Sequence, residues 1–364
     1  MTHVRTGSIA PKLRRPPRNE LVAIVVIAAL VVIGGVTAGL ALTRDVFSAS
    51  AFVTQYLQAI ERRDVSTALS MPGVLPPDTH REDFIADPQN VLLTAAAMAT
   101  DLKFSVVSDD EVQGTHFVTV RVQSGKAGNM ATTAAGASRD VVFSVSPSPR
   151  GVSLFPQWEF TTTPLGAVSV SVSHATYFSV NGFGPIDIAA VNSSVSPQDF
   201  EATASFTVFT PGVYTFDVDS SALSAEPVTV ALNEPGETGS VSLTATPTPA
   251  LINRVQKEVD QFFDGCVSQR VLLPSGCPFG IAIDNRVSGE PRWGVANYPQ
   301  VELRAGTSGW EIVPATMGLT FDADIQSLFD GSITPAHEDI SLTISGSVLL
   351  TASGDVSVLI NRVN

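Results

Sequence analysis

The run from Leu21 to Leu42, LVAIVVIAALVVIGGVTAGLAL, has no charged residue, and Thr37 is its one polar side chain. At about 1.5 Å rise per residue a helix of this length spans about 33 Å, enough for a hydrocarbon core of about 30 Å. Arg5, Lys12, Arg14, Arg15 and Arg18 precede the run, and Glu20 is the first acid. Cationic flanks stay on the inner side of a membrane. The sequence therefore predicts a basic cytoplasmic tail over 1–20 and a transmembrane helix over 21–43 in the cytoplasmic membrane. The remaining chain is then extracytoplasmic, in a single-pass protein of the cell membrane. The rival reading is a cleaved signal peptide. Its apolar core runs only about 7–15 residues, although small residues at Ala38–Ala41 and Ser48–Ala51 suit a cleavage site.

Charge narrows the partners. The chain of 364 residues carries a net −14. Beyond residue 43 stand 16 Lys+Arg against 34 Asp+Glu, a net of −18. Nucleic acid is excluded as a general partner, because phosphate contacts need clustered cations. Such a body is repelled by anionic headgroups, whereas the basic tail is drawn to them. Arginines outnumber lysines 17 to 4, a bias that matches a high-GC bacterium.

The outer region divides at 44–164, 165–245 and 246–364. In the first segment Phe52, Val53, Tyr56, Leu57 and Ile60 share one helical face, with Ser50 placed as cap. Asp64 caps a short turn over Val65–Leu69. Asp87-Pro88 opens a second helix through Leu92, Leu93, Ala95 and Met98 to Thr100. Strands follow at Leu102–Ser108, His116–Gln123, Arg139–Val145 and Val152–Phe160, with alternation in Val118/Val120/Val122 and Val141/Phe143/Val145. The second segment reads as all-β: Val168/Val170/Val172 alternate with serines, and Asn181-Gly182 and Pro211-Gly212 mark turns. TATPTPA over 244–250 reads as a stiff linker. Behind it Leu251, Ile252, Val255, Val259, Phe262, Phe263 and Cys266 form an amphipathic helix. An antiparallel meander then runs to Ile360.

The helix AFVTQYLQAIERRDVSTAL, the second helix and strands ending in QWEF resemble nuclear transport factor two-like domains. Such domains occur in bacterial, actinobacterial-type single-pass membrane proteins. The resemblance implies a cone fold, a curved sheet wrapped around helices. The stretch from Tyr177 through Val-Asn-Gly to Thr-Pro-Gly-Val-Tyr is similar to small envelope β-sandwich modules of the PEGA type. The expected fold class is accordingly α+β, two cone-like domains separated by a small β-sandwich, behind one transmembrane helix.

Chemistry-bearing residues are sparse. Cys266 and Cys277 read as a structural disulfide worth about 3 kcal/mol in the chain-entropy model. Free thiols or a metal or catalytic role are the alternatives, against which no C-x-x-C pattern or further ligands are present. His116 and Tyr56 form a conceivable pocket pair, set against ordinary packing. Asp322-Ala323-Asp324 and Asp330-Gly331 faintly resemble calcium ligands but lack the D-x-[DN]-x-[DN]-G spacing. Trp158, Trp293 and Trp310 read as core anchors or, alternatively, a carbohydrate platform. No catalytic residue, metal or cofactor is assigned, and no enzyme activity is expected. The expected function is a binding or scaffold protein of the bacterial envelope, its partner an envelope protein or a cell-wall component. The alternatives are a small-molecule or glycan sensor or enzyme using a cone pocket, and an accessory subunit of a membrane complex.

Overall fold

The computed structural model describes residues 47–99, 102–124, 138–148, 156–196, 199–307, 309–350 and 356–363. Among these, 50% lie in strands and 18% in helices, with four α-helices. The α+β cone expectation is thus corrected: sheets dominate, and the helices do not amount to a helix-plus-sheet cone. The membrane expectations are corrected as well. Among the described residues no helix is long and apolar enough to cross a membrane. The expected tail and span, 1–20 and 21–43, lie outside the described residues, so no described element supports a single-pass, extracytoplasmic arrangement.

The first unit opens with α1 (Ala49–Arg62), α2 (Val65–Ser70) and α3 (Arg81–Ala86). Ser48, not Ser50, caps α1 by accepting the Ala51 N–H at 3.1 Å. Asp64 caps α2 through the Thr67 N–H, also at 3.1 Å. The expected helix over 87–100 shrinks to a 3-10 turn, Pro88–Asn90. The cause is packing. Leu93 and Met98 are buried in the core of this unit, whereas Leu92 and Ala97 are buried in the core of the next. A regular helix offers one apolar stripe to one neighbour, so a segment serving two cores runs irregularly. The sheet follows in the order β1 (Leu102–Val112), β2 (Thr115–Ser124), β3 (Ser138–Pro147), β4 (Trp158–Phe160), all antiparallel. Val118, Val120, Val122, Val141, Phe143 and Val145 are fully buried or nearly so, in one core with Val53, Tyr56, Leu57 and Ile60 of α1. Burying each such side chain contributes about 1.5–3 kcal/mol.

The second unit is two facing sheets. One runs β12 (Thr246–Pro247), β10 (Leu223–Leu232), β9 (Gly212–Asp219), β6 (Tyr177–Val180), β7 (Phe183–Asp187). The other runs β11 (Thr238–Thr244), β5 (Leu165–Ser173), β8 (Glu201–Phe209), with β11 parallel to β5. Alternation supplies the shared interior: Val168, Val170, Val172 and Phe206 from one sheet, Phe178, Tyr214 and Phe216 from the other.

The Pro/Thr stretch is not a linker. Thr246–Pro247 pairs with β10, the Thr248 N–H donates to the Ala222 carbonyl at 2.9 Å, and Ala245 is fully buried. Thr248 then caps α4 (Pro249–Val267) by accepting the Leu251 N–H at 3.2 Å. Leu251, Val255, Val259, Phe263 and Cys266 form the buried stripe of α4. It lies against β13 (Arg286–Asn297) and β17 (Val356–Arg362) and touches β12. The sheet of the third unit has the order β13, β15 (Trp310–Gln326), β16 (Ile333–Leu350), β17, with β14 (Leu303–Ala305) paired to β15. Sandwich and third unit share one continuous apolar core.

Phe263→Ala removes a fully buried ring from this shared core. The variant is expected to lose about 3–5 kcal/mol in urea denaturation. A loss below about 1 kcal/mol contradicts the packing, since it falls outside the range for buried aromatic truncation.

Candidate functional site

The side chains able to do chemistry are held apart. Antiparallel pairing of β1 with β2 sets His116 opposite Glu111. Its Nδ1 lies 2.7 Å from Asp109 Oδ1, and its Nε2 lies 3.8 Å from Glu111 Oε2. The other Asp109 oxygen accepts the Ser50 hydroxyl at 2.5 Å and the Ser50 N–H at 3.2 Å. Serine, aspartate and histidine therefore meet, but with the aspartate in the middle. A nucleophilic serine must instead donate to the base. Partial burial pushes the Asp109 carboxyl up, yet the bonds from Ser50 and His116 outweigh it and hold it below the usual value. The cluster ties the first turn of α1 to the β1–β2 hairpin. Trp158 packs edge-on to His116 with centroids 4.7 Å apart, and its indole N–H donates to the Phe47 carbonyl at 2.9 Å.

Tyr56 and His116 do not form a pocket pair. Tyr56 is fully buried, and its hydroxyl lies 2.9 Å from both the Pro164 and the Thr210 carbonyl oxygens. Burial raises its hydroxyl pKa well above the usual phenol value, which suits a permanent donor and not a proton-transfer group. Trp293 and Trp310 are buried. Trp293 packs between Phe279 and Phe321 at 4.8 Å from each, and Trp310 sits beside His174 and Phe200. Neither ring is presented to a glycan. Cys266 and Cys277 are joined by a disulfide, Cα–Cα 5.8 Å, which closes the loop after α4. Among the described residues no group of three or more His, Cys, Asp or Glu side chains is placed to hold a metal ion.

The exposed feature that stands out is the far end of the β15–β16 hairpin. The pair is long, with Gln326 opposite Ile333 at the tip and Trp310 opposite Val348 at the base. Fully buried side chains end at Ala323 and Leu342, beyond which Ile325 and Ile340 still pack half-buried against the core; between Asp324 and Ser341 no side chain is fully buried. The tip is a built turn. The Ser327 N–H donates to the Ser332 carbonyl at 2.8 Å, and the Gly331 N–H donates to the Ser327 carbonyl at 3.0 Å. Gly331 has φ +74°, a left-handed conformation that glycine adopts without steric cost. Asp330 accepts the Ser332 hydroxyl at 2.8 Å, which holds its carboxyl below the usual range. Asp330 and Gly331 are thus turn residues. This turn presents Leu328, 72% exposed, and Phe329, 99% exposed. Sequence reasoning passed over them, although an apolar pair inside S-L-F-D-G-S departs from the polar composition of ordinary turns.

On the outer face of the hairpin His337 lies opposite Asp322, its Nδ1 2.8 Å from Asp322 Oδ1, with Asp339 Oδ1 3.6 Å from Nε2. Comparison of the chain with protein-family models, with curated proteins and with solved structures gives no match.

The Asp322 hydrogen bond, then its charge, raises the His337 pKa above the usual 6.5, with Asp339 and Glu338 adding to the effect. A raised folded-state value means the stabilisation is complete below the unfolded pKa and is lost as pH rises through the folded one. In an NMR titration the His337 midpoint is expected above 6.5 and to fall in Asp322→Asn. Equal midpoints in the two proteins contradict the pairing.

Proposed function

We propose that this chain is a non-enzymatic binding or scaffold protein, a stiff acidic body that holds a contact surface at a fixed place. The observation that carries the reading is the way the units are welded. The buried Tyr56 hydroxyl joins α1 to the carbonyls of Pro164 and Thr210, and one apolar core runs from the sandwich into the third unit. A scaffold needs such continuity, whereas a catalyst needs converging groups. Here the Ser50–Asp109–His116 cluster serves as an anchor. The acidic surface favours a protein partner over nucleic acid.

The test is a paired assay on the purified full chain. Under the scaffold reading His116→Ala leaves partner capture in cell crosslinking unchanged, and neither protein turns over ester, glycosidic or phosphoester substrates above buffer. Turnover by the parent that disappears in His116→Ala would overturn it.

A further inference from the structure

Resting on that reading, we propose that the tip of the β15–β16 hairpin is the docking element, with Leu328 and Phe329 as anchors for a protein whose apolar cleft is rimmed by lysine and arginine. Three observations converge. Phe329 is 99% exposed in a turn whose hydrogen bonds fix its backbone, so only the side chain has still to be ordered on binding. Aromatic side chains inserted into a partner's pocket supply most of the energy in many interfaces. The arm behind the tip is acidic on balance: residues 320–340 contain Asp322, Asp324, Asp330, Glu338 and Asp339 and no lysine or arginine, while the adjoining β13 sets Arg286 opposite Gln326 and Arg292 opposite Asp322. A basic rim complements that arm and steers encounter.

The same charge argues against the other occupants. Anionic headgroups repel an acidic arm, and a second copy would bring two acidic arms together. The tip is also separable from the fold. Since Leu328 and Phe329 are exposed and no side chain from 324 to 341 is fully buried, substitutions at the tip leave the core intact.

The experiment places a photo-crosslinking phenylalanine analogue at position 329 of the full chain in the producing cell. A second copy of the experiment places it at position 359, where the native leucine is 63% exposed on β17. The adduct is identified, and affinity for the purified partner is measured at low and high salt. The expected result is one protein adduct at 329 and none at 359. Phe329→Ala should then weaken binding at least about tenfold with an unchanged urea midpoint, and Asp324→Asn/Glu338→Gln/Asp339→Asn should flatten the salt dependence. A partner that crosslinks at 359 and binds Phe329→Ala as tightly as the parent overturns the tip and leaves the scaffold reading standing. Turnover lost in His116→Ala overturns the scaffold reading itself. A self-adduct, Phe329-dependent binding to phosphatidylcholine vesicles, or no adduct at 329 each overturns the basic protein partner.

Discussion

The buried Tyr56 hydroxyl is a main contact between the first unit and the rest, beside the Asn181 side chain, which donates to the Ala97 carbonyl at 2.7 Å, and Leu92 and Ala97, which are buried in the sandwich core. One phenol, fully buried at the inner face of α1, reaches two carbonyls that belong to the start of the sandwich and to the turn between β8 and β9. A second tyrosine anchors the same turn: Tyr214 donates to the Phe209 carbonyl at 2.7 Å. Its ring packs where a side chain on Gly212 would stand, 2.6 Å from the nearest ring atoms, so that position has room only for hydrogen. Leu165 and Phe209, paired across β5 and β8, are buried in the core of the first unit although they belong to the sandwich. A buried hydroxyl left without its acceptor costs more than a typical bond returns. The polar contact therefore helps to fix where the apolar surfaces meet.

The second junction follows a different rule. Between sandwich and third unit no single polar contact dominates. The chain leaves β12, caps α4 with Thr248 and lays the α4 stripe into the core already begun by the sandwich. Rigidity thus comes from continuity of the chain and of packing. Distal from this core the β15–β16 tip is flanked only by the start of β13, and exposed apolar side chains there have a meaning that they lack inside a core.

Much of the local structure was legible. The stripes of α1 and α4 and the alternation at Val118/Val120/Val122 and Val168/Val170/Val172 are periodic signals that burial reproduces. What failed was the information that depends on neighbours. Leu92 and Leu93 read as one helical face, yet they serve two cores. TATPTPA has linker composition, yet Thr246 and Pro247 find a strand partner in β10. The cone expectation rested on the α1 pattern, a second helix and strands ending in QWEF, whereas the second helix shrinks to a 3-10 turn and strands dominate. At the site, Asp109 and His116 were separate in the sequence and the β1–β2 register joined them. Leu328 and Phe329 were passed over because an apolar pair reads as buried until the fold shows that nothing covers it, although their place beside Asp-Gly marked a turn.

The most direct measurement of the central claim is hydrogen exchange on Tyr56→Phe against the parent. Losing the hydroxyl leaves the Pro164 and Thr210 carbonyls without that donor, a change of about 1–3 kcal/mol. If Tyr56 welds the units, exchange accelerates roughly tenfold or more in segments 162–168 and 206–214, far in sequence from the substitution, as well as in α1. Acceleration confined to α1, with the β8–β9 turn protected as before, would contradict the account.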